Sequence, residues 1–380
     1  MNVQELDILN AIRMNPMMNQ REIAHQSGYS LGLVNRVVKE LQDNKWITAN
    51  GELSEMAVNF IKENKPKRAV TFEAGFGMRM VPINTEIPKG LLEVRGEVLI
   101  ERMIRHLHEV GIRDIQVVVG FMKERYEYLI DEFNVQLVVN SEYQVKNNLH
   151  SLSKVKTPLD KTYIIPCDIW SEENPFSDFE PYSWYMVTDE MSVESTVRVN
   201  RKRELVVVDE DDEGNQMIGL CYLAGNKAKI VQEKLQEVSK KSSYDHEFWE
   251  CILQEKNKWL IPSKVVNSKQ FIEINTYEQL REIDGNSANL QTDAISIIQD
   301  CFKVEVDEEI LKTESVILEK EKTIKEYVDN ANKDVKDKKL VVVYHKKVKD
   351  TNGKVYTRYD LQIENEDGSK SKIFSVYRKE

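Results

Sequence analysis

With 380 residues, 41% hydrophobic and 31% charged, the chain is long enough for two or three domains of ordinary globular composition. A formal net charge of −11 excludes coating of nucleic acid by charge alone, and leaves room for a small local DNA-reading surface. No apolar run reaches the ~20 residues of a membrane helix, and the start MNVQELDILN lacks a signal-peptide pattern. Four scattered cysteines without a C-x-x-C pair read as reduced thiols, so a cytoplasmic location away from membranes is expected.

Residues 4–14 carry apolar positions at helical spacing, NQREIAHQSG gives a shorter helix, and a turn at Gly28-Tyr29 leads into a third helix capped by Ser30. WITANGELSEMAVNFIKE then reads as a strand, an Asn-Gly turn, a short return and a last helix. This order predicts a winged helix-turn-helix domain over residues 1–65, with Asn35, Arg36 and Lys39 on the polar face offered to a major groove. Up to Pro66 the segment has seven Lys/Arg against eight Asp/Glu, a faint basic footprint, so oligomerisation or ligand-linked regulation stands beside DNA binding as its role.

After the charged linker ENKPKR the pattern changes. AVTF, IQVVVG, VQLVVN and KTYIIPCDIW are strand-like and alternate with the helical stretches EVLIERMIRHLHEVG and KERYEYLIDEF. Residues 66–284 are therefore predicted to form an α/β domain around a mixed, mostly parallel, doubly wound (Rossmann-like) sheet. Its later strands, SWYMVTD to KWLIPSKVV, read as antiparallel hairpins, with Asp209–Glu213 as a solvated hairpin tip. Residues 285–380 are predicted as a small α+β tail: two helical stretches, TDAISIIQDCFKV and ESVILEKEKTIKEYVDNANKDV, then a three-stranded meander across Asn-Gly and Asp-Gly turns.

The chemistry concentrates after the first strand, in AGFGMRMVPINTEIPKGLLEV. Gly75 and Gly77 let the backbone approach an anion closely, and Arg79 and Lys89 return two cations to the same strand end, where they would neutralise a triphosphate. The A-G-x-G-x-R loop followed by P-K resembles the sugar- and choline-phosphate nucleotidyltransferases. NSEYQVKNNLHSL resembles a segment of the bacterial CTP:phosphocholine cytidylyltransferases, and YIIPCDIW resembles the strand whose terminal Asp holds magnesium.

That resemblance, over about 67–284, implies that Ala74, Gly75, Gly77, Arg79 and Lys89 bind the nucleotide, with Asn147 and Ser151 close to nucleotide or acceptor. It further implies that Asp168 coordinates Mg²⁺ and that Arg79, Lys89 and Asp168 act in catalysis. The reaction implied is in-line attack of a phosphomonoester oxygen on the α-phosphorus of CTP, releasing pyrophosphate. Trp184, Trp170 and Tyr185 are the candidate aromatic faces for the quaternary ammonium of phosphocholine, with Trp249 as a further one. Two positions depart from the family pattern. Glu73 would face the nucleotide, and Asn275 in FIEINTYEQL stands where a second metal carboxylate is expected, leaving a neutral oxygen ligand with Glu273 as substitute.

The partners implied are CTP, phosphocholine, DNA through the winged helix, and a second copy in a homodimer. A regulator that binds DNA and senses CTP or phosphocholine is the second reading, and a sugar-1-phosphate nucleotidyltransferase the third. The tail resembles at most a remnant of a kinase N-lobe. Without an H-x-D catalytic loop or a D-F-G-like motif, no kinase activity is expected.

Overall fold

A computed structural model describes residues 1–75, 87–209, 211–276, 279–280, 283–284, 316–318, 328–329, 332–333, 338–349, 355–365 and 374–379. Helices α1 (Val3–Met14), α2 (Gln20–Ser27) and α3 (Leu31–Asp43) begin at Asn2, Asn19 and Ser30, whose side chains accept the orphan N–H groups of each first turn. Asn2 with Glu5 and Asn19 with Glu22 complete capping boxes. Gly28 ends α2 with φ 68°, a left-handed conformation that favours glycine. The wing is smaller than predicted, a single bridge between Ile47 and Leu53, before α4 (Glu55–Glu63). Ile8, Leu9, Val34, Val37, Leu41 and Ala57 fill this domain's own core.

The central domain opens with β1 (Arg68–Glu73), the hairpin β2 (Glu93–Val94) and β3 (Glu97–Val98), and α5 (Leu99–Glu109). It continues through β4 (Asp114–Val119), α6 (Tyr128–Phe133), β5 (Gln136–Val139), α7 (Asn148–Ser153), β6 (Thr162–Pro166) and β7 (Ile169–Ser171). Then follow β8 (Trp184–Ser192), β9 (Val197–Val199), β10 (Glu204–Val207), β11 (Gly214–Leu223), α8 (Gly225–Val238), β12 (Gln254–Glu255), β13 (Lys258–Val266) and β14 (Phe271–Glu273). The sheet order is β5-β4-β1-β6-β11-β8-β13-β10-β9, with β12 paired to β13. Strands β5, β4, β1 and β6 run parallel, and β11 is antiparallel between β6 and β8.

Two apolar layers cover the sheet, one under α5 and α6 and one under α7 and α8. Because the four central strands run parallel, their carboxyl ends, at Glu73, Val119, Val139 and Pro166, emerge at one edge, where open α/β sheets present their sites. The sheet is the mixed, mostly parallel one that the alternation predicted; α8 was not anticipated.

In the tail, β16 (Lys338–Lys349), β17 (Val355–Asn365) and β18 (Phe374–Lys379) form the predicted antiparallel meander. One expectation fails there. Val316–Leu318, read as helical, is instead strand β15, parallel to β18, its Val-Ile-Leu run suiting a pleated edge better than a helix turn. TDAISIIQDCFKV lies outside the described residues.

The winged helix is docked on the sheet domain through α1, α4 and the Gly28-Tyr29 turn. Asp7 on α1 is the hub: it accepts from Tyr29 Oη at 2.7 Å, from Arg203 Nη1 at 3.0 Å and from Tyr182 Oη. The Arg203 guanidinium also stacks 4.3 Å from the Tyr29 ring centroid and donates to the Ser27 carbonyl at the end of α2. Arg13 pairs with Asp178 at 2.8 Å and lies over Phe179, against which Phe60 also packs. Replacing Asp7 with Ala strands an arginine and two phenols in a half-dry contact. It is expected to cost about 2–4 kcal/mol, read in chemical denaturation as earlier release of the N-terminal domain; an unchanged midpoint would contradict this account of the docking.

Candidate functional site

The site is built where β1, β5 and β6 end. Ala74 is buried, and its carbonyl accepts the Phe121 N–H at 3.2 Å, so the chain leaves β1 pinned to the end of β4 and delivers an exposed Gly75 to the edge. Gly77 and Arg79 lie outside the described residues. The chain returns at Pro88, and Lys89–Leu91 forms a tight turn under the strand ends.

Lys89 is 8% exposed, an unusual depth for an ammonium, and its Nζ bridges two oxygens: Asp168 Oδ2 at 2.7 Å and Asn275 Oδ1 at 2.9 Å. Thus three of the residues singled out from the sequence, 79 and 186 positions apart along the chain, converge on one point. Asp168 stands two residues past the end of β6, and its carbonyl accepts the Ile274 N–H at 2.7 Å, which locks the FIEIN segment beside it. β14 pairs with β7, with Glu273 opposite Ile169. Asn275 receives its own positioning from Gln279, whose Oε1 accepts the Asn275 N–H at 2.7 Å.

Glu73 does not face the nucleotide as expected. It is 2% exposed and turned to the α5 side, where Thr71 Oγ1 donates to it at 3.0 Å and Tyr126 Oη at 3.2 Å. The strand's period-two alternation sets this direction, because Ala69, Thr71 and Glu73 share a face. Above it lies Gly90: a Cβ there would stand 1.8 Å from Glu73 Oε2, so only glycine lets the Lys89 turn rest on the carboxyl. Burial pushes the Glu73 carboxyl up to about 7, against the opposing pull of its two hydrogen bonds, with the Asp168 charge adding to the rise and Lys89 reducing it. Burial likewise drives the neighbouring Cys167 thiol well up, which leaves it a packing group rather than a nucleophile.

Asn147 caps α7, accepting the Asn148 N–H at 2.7 Å, and donates to the His246 carbonyl at 3.1 Å. It ties the 245–250 segment to the site, so its amide serves the scaffold in this structure. The Ser151 hydroxyl is buried and accepts from Asn140 Nδ2 at 3.0 Å, within the fold rather than at its surface. Glu142 gathers Lys146, Lys154 and His150, which hold its carboxyl far down, at about 2, and staple the approach to α7.

The candidate choline faces are placed differently from expectation. Trp184 is opposite Tyr222, which is opposite Tyr163 near the amino end of β6, so it stands at the far end of the sheet from Asp168. Its Nε1 donates to Glu180 at 2.6 Å and its face is covered by Lys264 Nζ, 4.1 Å from the centroid, toward the winged-helix docking surface. Trp170 packs in a small core with Leu99 and Ile274, and the Arg95 guanidinium covers its ring at 4.4 Å. Neither ring is open to an acceptor: one is remote and both are already capped by cations of this chain. Tyr185 is buried beside Trp249 and bonds Glu250. Among the described residues no group of three His, Cys, Asp or Glu side chains is arranged as a metal cage, and no helix is long and apolar enough to cross a membrane. Asn35, Arg36 and Lys39 stand exposed on α3, away from the docking contacts, with Arg36 3.8 Å from Glu40.

Comparison with known proteins agrees with this architecture. Residues 69–170 match the family model of the MobA-like NTP transferase domain, and residues 1–48 that of the winged helix-turn-helix DNA-binding domain. The choline-phosphate cytidylyltransferase of Streptococcus pneumoniae is 28% identical over 252 residues, covering 65% of this chain and 100% of that protein. A 2-aminoethylphosphonate cytidylyltransferase of Lancefieldella rimae is also 28% identical, over 233 residues, covering 57% of this chain and 91% of the other. Among solved structures, the CTP:phosphocholine cytidylyltransferase from S. pneumoniae shares the fold, with a TM-score of 0.54 at 23% identity over 58% of this chain and 99% of that one.

Proposed function

Because the chain carries a MobA-like nucleotidyltransferase domain behind a winged helix-turn-helix, we propose that it transfers a cytidylyl group from CTP to phosphocholine in the cytoplasm. The products are CDP-choline and pyrophosphate. The observation that carries this reading is the convergence of Lys89, Asp168 and Asn275 at the strand ends. A phosphate oxygen of the acceptor attacks the α-phosphorus, a new P–O bond forms, and the bond to the β-phosphate bridge breaks with its electrons leaving on pyrophosphate. Such transfer depends on alignment and charge neutralisation more than on a protein base.

The two oxygens bridged by Lys89 are a cation-seeking pair, one carboxylate and one amide carbonyl, which fits Mg²⁺ shared with substrate phosphates. When bound there, Mg²⁺ would neutralise triphosphate charge, with Asp168 as its anionic ligand and Asn275 as its neutral one. The Lys89 ammonium, held at the same point by a buried stem, is then the cation directed at the phosphates. Gly75 presents its backbone to them. The test is pyrophosphate release from CTP and Mg²⁺ with phosphocholine, 2-aminoethylphosphonate and a panel of sugar 1-phosphates, using Asp168→Ala as control. Release with phosphocholine that the substitution abolishes supports the reading; release only with a sugar phosphate overturns the acceptor, and silence with all of them while CTP binds favours a sensor.

A second activity rests on the outward face of α3. With the domain docked through α1, α4 and the α2–α3 turn, Asn35, Arg36 and Lys39 remain free of those contacts. We propose that this face binds duplex DNA. Arg36→Glu with Lys39→Glu is expected to weaken binding at least ~10-fold and to reduce the slope of log K against log salt by about 2, as measured by fluorescence anisotropy. An affinity and salt slope equal to wild type would remove α3 from any such interface.

A further inference from the structure

The chemistry above gives Glu73 no part, yet its carboxyl lies against the turn that carries Lys89. Two backbone bonds close that turn: the Leu91 N–H donates to the Pro88 carbonyl at 2.9 Å and the Leu92 N–H to the Lys89 carbonyl at 3.2 Å. They shape the turn itself and leave its distance from β1 to be set by packing. The packing partner is Glu73. Gly90 is buried, and a Cβ placed on it would stand 1.8 Å from Glu73 Oε2, 2.7 Å from its Cδ and 3.1 Å from its Oε1. Gly90 does not have a positive φ, so closeness of approach alone excludes a side chain there.

The carboxyl is itself fixed. Oε1 accepts from Thr71 Oγ1 at 3.0 Å and Oε2 from Tyr126 Oη at 3.2 Å, and Tyr126 is buried in the apolar layer with Val119 and Leu129. Oε2 is thus both the acceptor of the phenol and the atom nearest to Gly90. Turning it aside would leave buried hydroxyls unpaired where water does not reach, so the turn has a stiff support. One residue from that support, Lys89 Nζ meets Asp168 Oδ2 at 2.7 Å and Asn275 Oδ1 at 2.9 Å. Contacts of this length do not survive a displacement of about 1 Å.

We infer that Glu73 is a positioning residue: by setting how closely the Lys89–Leu91 turn approaches β1, it places the Lys89 ammonium between Asp168 and Asn275. Its consequence for rate rests on the nucleotidyltransferase reading above, and its consequence for Lys89 on the contact alone. Glu73 acts through Lys89 and touches no substrate. The two positions are matched. A long side chain at 73 requires glycine at 90, so a side chain added at 90 fits only where the one at 73 is shortened.

The experiment is a cycle of Gly90→Ala, Glu73→Ala and the two combined, in the full chain, with two readouts. Placement of Lys89 is read without turnover, by brief acetic anhydride labelling and mass spectrometry, with the 47%-exposed Lys123 side chain as reference. Each single substitution is expected to raise Lys89 labelling at least about five-fold, and the combination to return it to within about two-fold of wild type. In acceptor-dependent pyrophosphate release, Gly90→Ala is expected to lower kcat by about 10–100-fold with the KM for CTP within about three-fold, and the combination to regain most of the loss. In a Lys89→Met background Gly90→Ala is expected to change kcat by less than about three-fold. A merely structural contact would lower the thermal midpoint of Gly90→Ala while leaving Lys89 labelling and kcat as in wild type, which overturns the inference. Losses that the combination does not recover, or that persist in full without Lys89, overturn it too. If Gly90→Ala does not fold, Glu73→Ala decides alone, and unchanged labelling of Lys89 in that variant is the contrary result. Wild type silent with every acceptor would overturn the transferase reading, and the labelling cycle would still decide the placement of Lys89.

Discussion

Replacing Lys89 with Met is expected to lower acceptor-dependent pyrophosphate release by about 10²–10³-fold, roughly 3–4 kcal/mol of transition-state stabilisation. Methionine keeps an unbranched apolar stem in the 8%-exposed channel and deletes only the charge. The loss belongs in kcat, since the ammonium is held by Asp168 and Asn275 at the point where the proposed transfer would rearrange negative charge, and charge placed in advance lowers the barrier without reorganising. Deleting one member of a buried pair also destabilises the fold, so the thermal midpoint is to be measured beside the rate. A folded Lys89→Met protein retaining the wild-type rate within about three-fold would remove Lys89 from the mechanism.

The second large effect is one of pH on stability. The Glu73 carboxyl holds its proton up to about pH 7 in the folded chain, whereas in the unfolded chain it gives it up near 4.5. Between those values the native state binds the extra proton, so this group's contribution is complete below pH 4.5 and is lost as pH rises toward 7, by about 3 kcal/mol. Glu250, likewise pushed by burial up to about 7, adds a slope of the same sign. Glu73→Gln removes the titration while keeping the shape under Gly90. The variant is expected to match wild type near pH 5 and to exceed it by up to about 3 kcal/mol near pH 8, in urea denaturation followed across pH. Curves that run parallel from pH 5 to 8 would show that Glu73 does not change its ionisation on folding.

What the sequence reveals of this fold and what it hides are separated by the range of the interactions involved. Features decided within a few residues were readable: the cap at Ser30, the amphipathic Leu99–Glu109 helix, the strand that leads to Asp168 and the FIEIN segment carrying Asn275. Even the meeting of Lys89 with Asp168 followed from local signals, because parallel strands must end at one edge. Features decided by a distant partner were not readable. Glu73 has a direction in the strand's alternation, but Tyr126, which gives it a hydrogen bond, lies 53 residues on, in an irregular turn. Asp7 and Arg203 are 196 positions apart, and neither carries a local mark of the docking they create. The position of Trp184 was not readable for a related reason. A strand pattern tells which face a ring takes but not which end of the sheet it reaches, and the register of β8 against β11 puts Trp184 at the wrong end. Val316–Leu318 became a strand only because β18 offers it an edge.

The measurement that bears most directly on the central claim is the fate of CTP labelled at the α-phosphorus, with phosphocholine and Mg²⁺. Nucleotidyl transfer predicts that the label appears in a CDP-linked product carrying the acceptor, that pyrophosphate is released unlabelled in equal amount, and that Asp168→Ala stops both. Label appearing as free CMP would mean hydrolysis, and transfer of the γ-phosphate to the acceptor would mean a kinase-type reaction; either result would contradict the role assigned here to Lys89, Asp168 and Asn275.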